Sequence, residues 1–453
     1  MAGADPQIPG GSGFLERYFG LAARGTTARR EVLAGLTTFL VMAYIIFVNP
    51  SILGFSGVKE LEPLGLPVNE TATGTCLVAG VLTIAMGLYA NYPFALAPGL
   101  GINAFVAFTL VAGMKLRWEQ AMGVIFYEGL IIAALVLTNV RAWVMDAIPV
   151  SLKRAIGVGI GLFIAVIGAA QAGFIKAGHA TPLTYGSVTS PTAVVAAFGL
   201  VVTAALVLRK VRGALLIGMV LATAAGIWPG LSKLPETGAM TVLPVLPPIG
   251  RIDFRVILDL ALLPAIFAVL LSDFFDTMGT VVAVGGEAKL LDEGHRLPRL
   301  NRVLLVDSLA AVAGGLCRTS SATTYIESAA GVAEGGRTGL TAVVTGSLFL
   351  IALPLAPLAA IVPAAATAPA LLIIGFLMMS VVREIPWDEP VEALPAFMTM
   401  LFIPLTYSIT RGIGYGFILY VILKTLTGKW RDVHPLLYFV SAAFVLEFVF
   451  RPI

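Results

Sequence analysis

Three carboxylates stand in apolar surroundings where a carboxylate is costly. Glu327 lies in the run from Arg318 to Gly339, rich in hydroxyls and glycines, between strongly apolar stretches; Asp273 and Asp276 lie in Ser272-Asp273-Phe274-Phe275-Asp276-Thr277. An ionisable side chain at the centre of a membrane helix costs on the order of 3 kcal/mol on insertion scales, so it faces a cavity or a partner. A spacing of three puts Asp273 and Asp276 on one helix face, and two acids on one turn among Phe and Leu are suited to loading and releasing H+. Such carboxylates also accept hydrogen bonds from the ring N–H groups of a heterocycle. The chemistry within reach is binding of a polar molecule and carriage of a proton, with Glu327 at the centre of the site. The plainer readings are a solvated loop at 318–339 and, for Asp276, a tie between helices through a hydroxyl or backbone partner.

Composition supplies the setting. Of 453 residues, 58% are hydrophobic and 12% charged, and the mean hydropathy is +0.94. That is too little polar surface for a soluble chain of this length, and it implies a polytopic membrane protein whose first partner is the lipid bilayer. The net charge of +3 comes from scattered residues with no dense Lys/Arg tract, which excludes a nucleic-acid partner. Cys76 and Cys317 have no disulfide or metal spacing. His179, His295 and His434 fall in loops or at segment ends, so a histidine relay is not expected. Neither a P-loop nor a nucleophile triad is present, which argues against an ATP-driven pump and against an intramembrane enzyme; no metal or cofactor is called for. Among the weaker acids, Glu128 is either a coupling site or the partner of another helix, and Asp307 bonds to Ser308 or to a neighbouring span.

These residues are positioned by apolar segments, each long enough to cross a hydrocarbon core that takes roughly 20 residues. Residues 1–30 lack the layout of a signal peptide and read as a cytoplasmic tail, disordered at first, with Phe14 to Phe19 able to lie on the membrane surface. Segments follow near 31–53, 73–91, 94–113, 120–139, 143–170, 191–208 and 213–231. After a proline-rich connection come 256–284, 300–316, 319–335, 338–361, 365–382, 394–410 and 412–427. With the N-terminus inside, the connections Arg141–Arg154, Arg209–Arg212, Lys289–Arg302 and Lys424–Arg431 carry most of the Lys and Arg on the cytoplasmic side. Lys115 and Arg117 outside, and the acidic Arg383–Glu392 inside, run against that bias. Leu436 to Phe450 is either a fifteenth span or an interfacial helix.

The two sets of seven echo one another. A shift of 224 residues lays Ile102-Asn103-Ala104 on Ile326-Glu327-Ser328 and Asn49 on Asp273. With an odd number of spans per half, the second half enters the membrane upside down, giving an inverted repeat of the kind found in secondary transporters. The third member of each half departs from regular helix. Pro93-Phe94-Ala95-Leu96-Ala97-Pro98-Gly99 opens one, and Thr319-Ser320-Ser321-Ala322-Thr323-Thr324 opens its counterpart. Extended chain entering a half-helix is expected in both, since non-helical backbone at membrane depth survives where it is buried or lines a cavity. Two half-helix N-termini then meet near the midplane, with peptide N–H groups near Asn103 and Tyr325 aimed at acceptor atoms. A simple kink at Pro98-Gly99 and a helix-to-helix hydrogen bond at Asn103 are the alternatives.

The chain resembles, over almost its whole length, the nucleobase cation symporter proteins of the nucleobase/ascorbate transporter type, specifically the azaguanine-type purine permeases that move guanine, hypoxanthine and adenine. The motifs that carry the resemblance are Gly25-Thr26-Thr27, Glu31 to Phe39, Asn49-Pro50, Ala95 to Ala104, Ser272 to Thr277 and Ser321 to Ser328. It implies an all-α polytopic membrane protein of fourteen segments in two inverted sevens, with segments 3 and 10 discontinuous and partly extended. It also implies a core domain, here 31–139 and 256–361, and a gate domain, here 143–231 and 365–427, beside the tail 1–30 and the C-terminal apolar segment 428–453.

In such proteins the substrate lies between core and gate, held by the carboxylates that match Asp273 and Glu327. Asn103 matches the polar residue of segment 3, and Asp276 a further acid linked to transport. Uracil and xanthine carriers often have Glu and a nearby His in segment 8; Asp273 without a following His favours the purine branch. A homodimer through the gate domains is a family expectation.

The resulting expectation is a proton-coupled importer of purine nucleobases in the cell membrane, moving core against gate. Asp273, Glu327, Asn103 and Tyr325 hold the base, Phe275 or Phe94 stacks on it, and Asp273, Asp276 and Glu327 are the proton-coupling candidates. A same-fold transporter of anions, or of uracil or xanthine, and a non-transporting membrane sensor are the rivals. Two acids in the site would repel an anion.

Overall fold

Fourteen segments follow one another in the computed structural model, which describes residues 13–138, 147–178, 183–232, 244–292 and 297–450. Arg141, His179, His295 and the first twelve residues of the tail, read above, lie outside these. Among the described residues, eight helices are long and apolar enough to cross a membrane unaided. A ninth span, in segment 11, joins Gly339–Ile351 to Leu353–Ile361 through a bend of 61°, where Pro354 and Pro357 withhold amide donors. The helix of segment 3, Leu100–Gly113, is shorter. It climbs about 21 Å at about 1.5 Å per residue, and the extended residues before it add about 16 Å at about 3.3 Å each, enough for a core about 30 Å thick.

Extended chain at this depth must find partners for its own amides and carbonyls. Strand β1 (Leu96–Pro98, segment 3) runs antiparallel to a strand of segment 10, Ala322–Thr324, with Leu96 opposite Thr324, Ala97 opposite Thr323 and Pro98 opposite Ala322. Gly99 N donates to Ser321 O and Tyr325 N to Ala95 O, both at 2.9 Å, extending the ribbon at each end. Its outer edges are satisfied by side chains. Leu96 N donates to Thr83 Oγ1 at 2.9 Å, Ala95 N to Ser328 Oγ at 3.0 Å, and Thr324 N to Asp307 Oδ1 at 2.8 Å. The pair Pro98–Ala322 has the same 224-residue separation as Asn103 and Glu327, so the local two-fold axis of the repeat passes through the ribbon. From it the helix Leu100–Ala104 leaves toward one face of the molecule and Ser328–Ala333 toward the other.

Two groups of helices surround the ribbon. In one, segment 9 (Leu300–Leu316) packs on segment 4 (Trp118–Leu137), and segment 11 packs on segments 1 (Ala28–Leu53) and 2 (Val68–Ala90). Segment 8 (Leu263–Glu287) lies against segment 4. In the other, segment 5 (Val150–Gln171) is flanked by segments 12 (Ala364–Met378) and 13 (Pro390–Leu405), with segments 6 (Pro191–Leu208), 7 (Ala214–Ala225) and 14 (Ile409–Leu426) outside them. Small residues allow the closest approaches, as membrane bundles require: a Cβ on Gly346 would lie 2.5 Å from Gly80 O.

Loops sort to two faces. On the face bearing the N-terminus, Arg24 Nη1 donates to Asn91 O at 2.7 Å and to Arg337 O at 2.9 Å, joining the tail to the 2–3 and 10–11 turns. On the opposite face, Trp118 Nε1 donates to Leu64 O at 2.6 Å, and Arg318 pairs with Glu119 at 3.7 Å. Several boundaries differ from those read in the sequence. Segment 8 becomes helical only at Leu263, after 3-10 turns and next to Pro264 at its first turn. Segment 10 keeps only Ser328–Ala333 as helix, because its first half is spent in the ribbon. A surface hairpin, β2 (Ile175–Ala177) with β3 (Leu183–Tyr185), occupies the 5–6 connection, which makes Ala322–Thr324 strand β4. The last helix, Pro435–Phe450, packs on segment 14 through Phe417 and Phe444.

Candidate binding site at the paired half-helices

The acids of the site fall into two tiers, one exposed and one buried. The outer tier faces open space. Asp276 and Gly279 of segment 8 are exposed, Ile326 is 50% exposed, and Glu327 is half-buried. A Cβ added at Gly279, or at Gly157 of segment 5, would meet no atom within 4 Å. Glu327 Oε1 accepts a hydrogen bond of 2.6 Å from Tyr44 Oη, and the charges of Asp276 and Glu327 act on each other directly. Thr323 Oγ1 reaches Asp276 Oδ2 over a long 3.4 Å. Tyr44 sits where segment 1 breaks between Ala28–Met42 and Ile45–Leu53, so the break presents a hydroxyl at the depth of the half-helices.

The inner tier is dry. Asp273 is fully buried and accepts from Ser321 Oγ at 2.6 Å through Oδ2; Glu128 of segment 4, also fully buried, has Oε2 at 3.5 Å from the same Ser321 Oγ. Asp307 accepts from Thr277 Oγ1 at 2.7 Å and from Thr324 N and Oγ1 at 2.8 Å each. Among the described residues none of these five acids forms an ion pair, although Arg117, Arg154, Arg212, Arg318 and Lys424 all do elsewhere.

The recess is closed on the side away from the N-terminal face. A Cβ on Gly101 would lie 2.5 Å from Ile160 Cγ2, so segments 3 and 5 touch at the start of the half-helix. Beyond it the Phe108 ring centroid is 6.3 Å from that of Phe163 and 6.0 Å from that of Tyr407, and Thr109 Oγ1 donates to Tyr407 O at 3.0 Å. Ser51 and Thr367 hydroxyls meet at 3.0 Å. Toward the N-terminal face, Lys153 Nζ lies 5.1 Å from the Phe275 ring centroid, at the edge of the open region.

The residues singled out in the sequence thus separate. Glu327, Asp276 and half-buried Phe275 come to the open side. Asp273 is fully buried against Ser321. Asn103 is fully buried, and neither its Oδ1 nor its Nδ2 has a protein partner; the helix-to-helix bond considered for it is not made. Tyr325 is 6% exposed, its hydroxyl donates to Pro98 O at 2.5 Å, and its amide is taken by Ala95 O, so the N–H expected to point at a ligand is part of the ribbon. Phe94, the alternative stacking ring, is fully buried and stacked on Tyr92 at 5.5 Å in an apolar cluster with Met86 and Val281, away from the open side. Tyr44 and Ser321 were not among the candidates. A lone tyrosine five residues before Asn49-Pro50 is the signal that sequence offered for the first.

Paired half-helices of opposite sense, fed by an inverted repeat and opening on a polar recess, define a transporter of the seven-plus-seven type. The same fold occurs in the transmembrane domain of the cyanobacterial bicarbonate transporter BicA, with a TM-score of 0.61 and 16% identity over 84% of this chain and 96% of that one. It occurs also in murine Solute Carrier 26 family member A9 in the inward-facing state, with a TM-score of 0.65 and 12% identity over 92% and 73%. The profile of the permease family Xan_ur_permease matches residues 29–414, and the chain belongs to that family, of the nucleobase/ascorbate transporter type. Its relatives include the adenine permease AdeP of Escherichia coli strain K12, 43% identical over 441 residues (97% of each chain). The guanine/hypoxanthine permease PbuG of Bacillus subtilis strain 168 is 43% identical over 439 residues, 96% of this chain and all of that one. The protein is therefore a multi-pass membrane permease and not an enzyme.

Proposed function

We propose that the chain imports purine nucleobases, adenine, guanine or hypoxanthine, together with H+ across the cell membrane. The observation that carries this reading is the chemistry of the recess. Two acids that form no ion pair among the described residues, Asp276 and Glu327, face it, and the half-helix of segment 3 carries a buried primary amide, Asn103, whose donor and acceptor are both unpartnered. A neutral ring bearing N–H donors and ring nitrogens or carbonyls fits that set; an anion is repelled by it. The names of the relatives AdeP and PbuG support the purine class.

In this reading Glu327 and Asp276 accept from ring N–H or exocyclic amino groups, Asn103 pairs with a ring nitrogen or carbonyl, and Phe275 covers one face of the base. Segments 1–4 and 8–11 form the moving core and segments 5–7 and 12–14 the gate, at the domain boundaries given above. The excess of lysines and arginines on the N-terminal face supports a cytoplasmic side there, and in this reading the recess opens to the inside. Asp273, Asp276 and Glu327 are the proton-coupling candidates. One neighbour in fold is named a bicarbonate transporter and another an anion transporter, and the test includes the anion class. Uptake of labelled adenine, guanine and hypoxanthine is measured in a bacterial strain lacking its own purine permeases, with unlabelled guanine, xanthine, uracil and sulfate as competitors. Uptake inhibited by guanine but not sulfate, abolished by Glu327→Gln and by a protonophore, is the expected result. Inhibition by sulfate alone, or near-native uptake by Glu327→Gln, overturns it.

A further inference from the structure

Glu128 is the buried acid that this reading leaves unused. It projects from segment 4 into the inner tier, fully buried, and its carboxyl and that of Asp273 meet at one hydroxyl, Ser321 Oγ. Two carboxylates offer only acceptors, so a hydrogen bond between them requires that one carry a proton; like charges so close do not both ionise, and such pairs share one H+. Ser321 does not relieve this. Its hydroxyl has one proton, Asp273 Oδ2 is at 2.6 Å and Glu128 Oε2 at 3.5 Å, and Glu128 Oε1 and Asp273 Oδ1 are left without a partner.

The surroundings give the pair no counter-charge. Segment 8 presents Asp273 and, about one turn on, the exposed Asp276. Segment 9 presents Asp307, whose carboxylate is already met by three donors. The turn Phe254–Leu258, which packs on the outer end of segment 4, is preceded by Asp253, and Asp253 is paired with Arg117 at 3.5 Å. Arg318, at the same end, is paired with Glu119 at 3.7 Å. Among the described residues no cation reaches Glu128 or Asp273.

We propose that Glu128 and Asp273 hold one proton between them, carried as cargo behind the substrate, and that Glu128 is a coupling residue the base never touches. The inference rests on the proton-coupled reading above. Segments 4, 8 and 10 belong to the helix group that also bears Glu327 and Asn103, so a proton on the pair travels with the base. Both carboxyls are fully buried, which keeps that proton from escaping midway. The step balances simply. One H+ from water on the loading side binds a carboxylate oxygen of the pair, crosses with the moving group, and leaves on the other side to water that reaches the pair there and solvates the second charge, which the closed pair cannot hold.

The test uses the full chain in liposomes with a labelled base, in two regimes. Counterflow without a gradient reads binding and movement; accumulation under an acid-outside gradient reads coupling. With one proton per base, one pH unit sustains an inside-to-outside ratio of about 10, the tenfold that one pKa unit of free energy represents. Glu128→Gln is expected to keep counterflow and to lose accumulation, its ratio falling to about 1, and Glu128→Asp, which still titrates, to recover accumulation. Accumulation by Glu128→Gln at the native ratio overturns the proposal, as does loss of counterflow in both variants, which would mark Glu128 as structural. Absence of counterflow in the native chain with every purine defeats the functional reading instead. In that event infrared difference spectra of native against Glu128→Gln protein decide the pair: a protonated-carboxyl band lost in the variant supports it, and no such band refutes it.

Discussion

Replacing Tyr44 by Phe isolates a single hydrogen bond at the candidate site. The ring is fully buried and its hydroxyl donates to Glu327 Oε1 at 2.6 Å, so the substitution deletes one oxygen and keeps the packing. A hydrogen bond to a charged group contributes about 1.5–3 kcal/mol, and each 1.4 kcal/mol is a factor of about ten. If Tyr44 fixes the carboxylate that receives the base, the variant should bind the base roughly 10- to 150-fold more weakly. The cost to the fold is smaller, because Glu327 is half-open and water can take the place of the lost donor. Uptake kinetics in a permease-deficient strain, with the thermal midpoint of the purified protein in detergent, separate the two effects. A raised KM with a nearly unchanged midpoint is expected. An unchanged KM, or tighter binding, would refute the reasoning, the latter by showing that the hydroxyl competes with the base.

Three further substitutions probe other parts of the arrangement. Asn103→Leu removes no protein hydrogen bond, since neither amide atom has one, and should abolish uptake while leaving the thermal midpoint near native; a large fall in midpoint would contradict this. Glu31 is fully buried and accepts from Arg337 N at 2.8 Å, Thr338 N at 3.3 Å, and Thr341 N and Oγ1 at 3.2 and 2.6 Å; Glu31→Gln should cost about 2–3 kcal/mol, read as a lower midpoint with normal uptake per folded molecule. Gly101→Ala places a methyl 2.5 Å from Ile160 Cγ2, an overpacking that typically costs about 1–3 kcal/mol; transport should slow and recover when Ile160→Ala is added, and failure to recover would locate the defect elsewhere.

What sequence could and could not reveal follows from geometry. The 224-residue shift was visible because inverted halves must bring equivalent breaks to one depth, and the structure closes the pair Pro98–Ala322 at that same separation. Prolines and glycines in 93–99 and hydroxyls in 319–324 marked both breaks, but not that the two strands would pair with each other. Asp273 and Asp276 share a face in sequence. Three residues on a helix are nevertheless about 60° apart around the axis, and packing leaves Asp273 buried against Ser321 and Asp276 exposed. No periodicity carries that distinction, because it depends on where a distant segment lies. The partner of Glu327 was equally hidden, since Tyr44 is 283 positions away and reads as an ordinary apolar-segment aromatic. The ring of Phe94 stood beside the right motif, but tight core packing claimed it.

The distribution of donors over the acids bears on what the site can accept. Two full charges about 4 Å apart repel by about 4 kcal/mol at an effective dielectric constant near 20, and no ion pair offsets such a term at any of the five acids among the described residues. Asp307 is met by three donors. Glu327 has one donor and access to water, so its charge is tolerable until a ligand with N–H groups displaces that water. Glu128 and Asp273 have one hydroxyl between them, and a shared proton removes the charge they cannot support. An anion entering the outer tier would add to the same unscreened potential, whereas a neutral heterocycle donating N–H groups relieves it. The fold is shared with the bicarbonate transporter BicA, so it is the acids of the outer tier, and not the scaffold, that set this recess against an anion.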